Sequence, residues 1–159
     1  MSIFVRGRSA WVTGAGERSK PIKLPRRWYV VLDSRENVRI DELFQATELT
    51  RIAPPATISS FASGETLENV FEPVARTRYP RVAAALDWLG SHYHARLSGS
   101  GGCVFLETAT SERAEAVTGC CPATFAASVA EGVGLHHCIG CSHVTLRWVS
   151  RPLGSRLQN

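Results

Sequence analysis

Two stretches of this 159-residue chain have the residue types and spacing to do chemistry. In "ARLSGSGGCVFLE", Ala95 to Glu107, the residues Ser98, Gly99, Ser100, Gly101 and Gly102 stand between two short apolar runs. Glycine serves where backbone must take positive φ or approach something closely. This loop therefore reads either as a hairpin turn or as a group of backbone N–H donors held open to an anionic ligand. The second stretch, "HHCIGCSH", brings His136, His137, Cys138, Cys141 and His143 into eight residues. These are ligand types for tetrahedral zinc, but structural zinc usually draws its ligand pairs from two separated knuckles. No metal site is expected there; Cys138, Cys141, His136 and His143 are the candidates if one exists. Ser98 and Ser100 could be paired with His92 or His94 as base, yet nothing supplies the third, orienting group of a nucleophilic triad. Cys103 reads as a small core residue, and the vicinal Cys120 and Cys121 as poorly placed to bridge each other.

The composition bounds what these residues can belong to. Apolar residues make up 44% and charged residues 20%, as in a soluble globular domain. No run reaches the 18 or so apolar residues needed to cross a bilayer. The N-terminal "MSIFVRGRSAW" lacks the apolar core and small-residue site of a secretory signal, so a cytoplasmic chain with reduced thiols is expected. Three of the four units of net positive charge reside in the C-terminal tail. Beyond Glu131, the last acidic residue, come Arg147, Arg151 and Arg156, while the first 131 residues carry 15 basic against 14 acidic side chains. No basic stripe with interleaved aromatics marks a nucleic-acid partner.

The elements that must position the glycine loop follow from pattern. Ile3 to Val12 reads as strand and Gly14 to Lys20 as a turn-rich connection. "WYVVLD", Trp28 to Asp33, is a buried-strand run, and Trp28, Tyr29, Trp88 and Phe105 are core by default. A helix opens at Ile40 with Asp41 and Glu42 at its favourable end, and Pro54 and Pro55 break the pattern after it. Asn69 to Arg78 and Pro80 to Tyr93 read as helices, the second placing Val82, Leu86 and Leu89 on one face. Short strands at Ala95–Leu97 and Cys103–Glu107 flank the loop. A helix then runs from a cap at Thr110 or Ser111 to Gly119, and "TFAASVAEGV" forms a last strand. The order predicts an α+β sandwich, with helices on one face of a mostly antiparallel sheet. Three parts are expected: a hairpin in residues 1–27, the sandwich in 28–133, and a basic Cys/His-containing tail without fixed structure in 134–159.

With the loop placed, the sequence resembles the GHMP small-molecule kinases. "ARLSGSGGCVFLE", preceded by "RYPRVAAALDWL", is similar to the third conserved motif of that superfamily. Within it the resemblance is greatest to the branch that phosphorylates 4-diphosphocytidyl-2-C-methyl-D-erythritol in the non-mevalonate route to isoprenoid precursors. "FVRGRSAWVTGAGE" resembles that branch's F-x-x-G-x-A-x-x-x-G-x-G-E hairpin. "LPRRWYVVLD" resembles its W-Y-L-V strand, "LFQATELTR" the segment after its pocket threonine, and "NVFEPVARTRYP" its E-P-V helix. The match covers residues 3 to 133. It implies the C-terminal, ferredoxin-like α/β sandwich of the superfamily, preceded by a hairpin belonging to the N-terminal domain.

The resemblance also implies function. The complete enzyme uses ATP and Mg²⁺ and takes a small-molecule substrate. In it, Ser98 to Gly102 would face the reacting phosphates, and Phe44 stands where the family has an aromatic against the cytosine. A core phenylalanine is the other reading of Phe44, and both stand at this point. The motif P-G-V-x-V-x-T appears as "SRENVRI", so Ile40 replaces a substrate-contacting threonine. The family's phosphate-cradling P-x-x-x-G-L-G-S-S-S loop, its lysine and its catalytic aspartate find no counterpart in the 159 residues, and "S-P-L-H" is blurred into "GVGLHHC". The expectation is a C-terminal portion, inactive by itself, with no cofactor held tightly. Its partners would be a separate N-terminal half or, through the hairpin's open edges, another copy; neither nucleic acid nor membrane is expected. The alternatives are a non-catalytic ligand-binding or interaction fragment, and a small zinc-binding protein.

Overall fold

The computed structural model describes residues 10–13, 17–23, 25–51, 59, 69–132 and 148–149. Residues 3–9, Gly14 and the zinc candidates His136, Cys138, Cys141 and His143 lie outside them. The elements in chain order are strands β1 (Ala10–Thr13), β2 (Arg18–Pro21) and β3 (Trp28–Asp33); helices α1 (Ile40–Gln45), α2 (Glu72–Arg78) and α3 (Pro80–Gly90); strands β4 (Ala95–Leu97) and β5 (Cys103–Thr108); helix α4 (Ser111–Gly119); and strands β6 (Ala126–Glu131) and β7 (Trp148–Val149).

β1 and β2 form an antiparallel hairpin with Trp11 opposite Lys20. The other five strands form one antiparallel sheet in the order β4-β5-β3-β6-β7. Arg18–Pro21 is thus strand where the sequence suggests a turn; its residues have no apolar alternation, and pairing with β1 is what extends them. Two residues of the segment read as a tail, Trp148–Val149, pair with Val129 and Ala130 of β6.

The period-2 alternation of β3 and β5 builds the two layers. Val30 and Leu32 of β3, opposite Leu106 and Val104 of β5, are fully buried or nearly so. They pack with Leu43 of α1, Val74 and Ala75 of α2, Val82, Ala85, Leu86 and Leu89 of α3, and Ala114 and Val117 of α4. The 3.6-residue period of α3 gives it this buried face, and Pro80 suits its first turn because a helix's first N–H has no partner there. α4 is capped by Thr110, whose side chain accepts from Arg113 N.

The aromatic residues divide between the two faces. Trp28 and Trp88 pack, partly buried, against the core. Tyr29 and Phe105 alternate onto the sheet's other face, so they are half-buried rather than core; their rings meet edge-on at 6.1 Å, and the Arg96 guanidinium lies 4.9 Å from the Phe105 ring centre. Burial, then the nearby Glu107 carboxylate, pushes the Tyr29 hydroxyl pKa up from 10.0. Cys103 shares that face and is likewise half-buried, not a core residue.

Candidate functional site

The glycine loop joins β4 to β5, and its ends are fixed by hydrogen bonds. Ser98 N–H donates to the Cys103 carbonyl at 2.9 Å, and Gly101 N–H to the Ser98 carbonyl at 3.4 Å. Gly99 holds φ of +60°, in the left-handed region where glycine is free of steric cost. Among the described residues, the N–H groups of Gly99, Ser100 and Gly102 have no hydrogen-bond partner. The loop is a hairpin turn that leaves three backbone donors open, so its two sequence readings are compatible.

Two other segments hold it. On one side the chain leaving β3 presses on Gly102. Ser34 N–H donates to the Gly102 carbonyl at 3.1 Å, and a Cβ on Gly102 would stand 2.8 Å from the Glu36 carbonyl oxygen. Glycine is required here by close approach, not by dihedral angle. On the other side stands the turn before α2, where Asn69 Nδ2 donates to the carbonyls of Leu97 and Gly99 at 2.9 and 2.7 Å. Asn69 Oδ1 accepts from Phe71 N–H at 3.0 Å, and Glu72 Oε2 from Leu97 N–H at 2.9 Å. The local Asn69–Phe71 bond replaces helical backbone, so α2 begins at Glu72 and not at Asn69.

Phe44 is 53% exposed on α1, so the reading of it as a core phenylalanine does not hold. Its ring meets Phe71 edge-on, centres 4.9 Å apart. Phe71, partly buried, lies two residues from Asn69, so a line of contacts runs from the exposed Phe44 through Phe71 to the glycine loop. Ile40, also on α1, is 48% exposed. Arg35 adopts φ of +54° beside the loop, its N–H held by Asp33 Oδ1 at 2.8 Å. By the resemblance of "SRENVRI" to P-G-V-x-V-x-T, it stands where that motif has glycine.

The catalytic serine idea finds no geometry. Among the described residues, no hydrogen bond joins Ser98 or Ser100 to a histidine; the His92 ring meets Trp88 and the His94 ring meets Tyr93. A shallow cleft lined by Arg27, Tyr93, Thr108, Thr110 and Arg113 lies at the far end of β5 from the loop, with Arg27 paired to Glu107 at 2.9 Å. No three His, Cys, Asp or Glu side chains come together to hold a metal among the described residues. The sequence reading missed Asn69, Glu72 and Arg35. Each is an ordinary polar residue whose role arises from distant contact or from an unusual dihedral angle.

This sandwich, with its glycine loop between two antiparallel strands, is the C-terminal domain of a known class. Residues 42–127 match the family described as "GHMP kinases C terminal", and the chain belongs to that family. Its similar relatives include three named 4-diphosphocytidyl-2-C-methyl-D-erythritol kinase. That of Nitrosococcus oceani is 40% identical over 143 residues, 90% of this chain and 51% of the relative. That of Aromatoleum aromaticum is 41% identical over 134 residues, 84% and 47% of the two chains. That of Xanthomonas campestris is 45% identical over 130 residues, 82% and 44%. The chain thus spans about half the length of the curated relatives it matches. Among solved structures, a "4-(cytidine 5'-diphospho)-2C-methyl-D-erythritol kinase" superposes with a TM-score of 0.66 over 81% of this chain and 51% of that one, at 22% identity, which establishes the fold.

Proposed function

We propose that this chain supplies the C-terminal part of a kinase that transfers the γ-phosphoryl group of ATP to the 2-hydroxyl of 4-diphosphocytidyl-2-C-methyl-D-erythritol. The observation that carries the reading is the loop Ser98–Gly102, with three open amide N–H groups, linked through Asn69 to Phe71 and its exposed ring partner Phe44. The names of the relatives supply the substrate class.

In this reading each group has a chemical task. Phosphoryl transfer needs positioning and charge neutralisation more than covalent help. The open N–H groups of Gly99, Ser100 and Gly102 fit phosphate oxygens, because a concave run of amide donors favours an anion without presenting a side chain to it. ATP, when bound, supplies the phosphoryl group. Phe44 offers a ring face or edge to the cytosine. For Mg²⁺ the described residues offer no matching donor set. The loop orients the phosphates; proton handling at the hydroxyl belongs to the family's aspartate and lysine, which have no counterpart in residues 1–159. A cytoplasmic location and a unit boundary at about residue 28 are part of the same proposal.

The test uses two polypeptides. Residues 1–159 alone, given labelled ATP and the diphosphocytidyl substrate, are expected to show no turnover. A fusion carrying the N-terminal half of the Nitrosococcus oceani relative in register is expected to phosphorylate it. A folded fusion that binds neither ATP nor substrate would refute the reading. Turnover by residues 1–159 alone would overturn the division of labour and place a base within this chain.

A further inference from the structure

We propose that Asn69 is the positioning residue of the glycine loop, and that it does so by aiming the Ser100 N–H at a phosphate oxyanion. The inference rests on the reading of the loop as a phosphate wall and deepens it by naming the donor and what orients that donor.

The argument begins at the sheet edge. β4 is an edge strand paired to β5 with Arg96 opposite Phe105 and Leu97 opposite Val104. Since Ser98 N–H bonds across to the Cys103 carbonyl, the antiparallel ladder runs through alternate residues and leaves Leu97 N–H and C=O pointing out from the edge. Glu72 and Asn69 take those two groups, so this part of the edge is closed by side chains instead of another strand. The loop is thereby anchored to α2 at its first residue.

Asn69 then reaches one step further, to the Gly99 carbonyl at 2.7 Å, the shorter of its two donations. A trans peptide is planar, with C=O and N–H pointing in opposite directions. Drawing the Gly99 carbonyl toward Asn69 therefore turns the Ser100 N–H directly away from it. The same rule is already visible two peptides earlier, where the Leu97 carbonyl goes to Asn69 and the Ser98 N–H of that peptide goes the other way, to Cys103. The Ser100 N–H has no such protein partner among the described residues. The carboxamide can perform this because its acceptor is engaged by Phe71 N–H, which fixes the amide plane and the direction of both donors. Gly99, at φ +60°, supplies the bend that lets its carbonyl turn back.

The experiment uses the ¹⁵N-labelled full chain, with inorganic tripolyphosphate at fixed ionic strength as the probe. Asn69→Ala removes both donors without adding charge. Asn69→Asp removes them but keeps the acceptor for Phe71. In the unliganded chain, the N–H residual dipolar couplings of Ser100 are expected to change in both variants, while those of Val104 and Leu106 stay put. In the parent, the Gly99 and Ser100 amide signals are expected to move saturably with tripolyphosphate. In Asn69→Ala the apparent Kd should weaken about tenfold, the scale of one charge-assisted hydrogen bond. Unchanged Ser100 couplings and affinity in Asn69→Ala overturn the inference, as does weakening confined to Asn69→Asp, which would be charge repulsion. If no loop amide of the parent responds, the phosphate reading itself fails and takes this inference with it. If one variant does not fold, the other is read by the same criteria.

Discussion

Alanine substituted in turn at the loop glycines should separate three different physical requirements. Gly102→Ala is the costly one. Its Cβ would stand 2.8 Å from the Glu36 carbonyl oxygen and 3.0 Å from Ser34 Oγ, against an ordinary contact of 3.4 Å or more. About half an ångström must be found. Neither neighbour gives way easily, since the Glu36 carbonyl accepts from Val38 N–H, and Ser34 Oγ, fully buried, accepts from Glu36 N–H. The Glu36 side chain is tied to Arg81 N–H at the start of α3. Overpacking of this kind costs about 2 kcal/mol, or about 4–8 °C of melting temperature for a chain of this size. Gly99→Ala meets nothing within 4 Å but must hold φ of +60°, at about 1 kcal/mol. Gly101→Ala has open space and no positive φ, and should be neutral within about 0.5 kcal/mol. Thermal unfolding by far-ultraviolet circular dichroism, with urea titration as a check on two-state behaviour, ranks the three. Equal losses at Gly101 and Gly102, or no loss at Gly102, would refute the close-approach argument.

The remaining predictions use neighbouring residues as controls. Phe44→Ala removes an exposed ring with one edge-on contact, so urea unfolding should show a loss below about 1 kcal/mol. Leu43→Ala next to it empties a fully buried site and should lose about 2–5 kcal/mol; comparable losses would mean that Phe44 is structural after all. Among the described cysteines, Cys120 is exposed, while burial pushes the thiols of Cys103 and Cys121 up from 9.0. Iodoacetamide at pH 8 followed by peptide mass mapping should therefore label Cys120 first. Cys103 and Cys121 hold their protons more tightly folded than unfolded, so the stability they contribute is full below pH 9 and is lost as pH rises through their folded values; a melting temperature that climbs above pH 9 in parent but not in Cys103→Ala would contradict this.

The fold was legible where local pattern and tertiary burial demand the same thing. The apolar run "WYVVLD" marks β3, and Val82, Leu86 and Leu89 line the inner face of α3, because core contact selects both patterns directly. β2 was not legible, since "RSKP" has no apolar period and is extended only through its partner strand. The default that large aromatics are core failed at Tyr29 and Phe105, and the core alternative for Phe44 failed with it, for one common reason. Alternation or helical phase had already assigned the inner face to Val30, Leu106 and Leu43, leaving each aromatic on the side facing away. Composition says that a residue is apolar; phase decides whether it is buried.

The candidate site divides in a similar way. The loop's glycines are visible in sequence because the reason for them is local: a bend at Gly99 and a close approach at Gly102. What fixes the loop in space is not local, as Asn69 and Glu72 act on residues 25 to 30 positions away. Arg35 makes the same point from the opposite direction. The chain keeps a left-handed turn there without glycine, at a cost of about 1–2 kcal/mol. It can do so because Asp33 Oδ1 holds the Arg35 N–H, while Ser34, the residue between them, is tied to Gly102. The turn after β3 is thus determined by what it must touch, and the residue at its apex is free to vary as long as those contacts survive. It follows that the contribution of this domain to its site lies in backbone direction, set from two sides by Ser34 and Asn69, more than in any single reactive side chain.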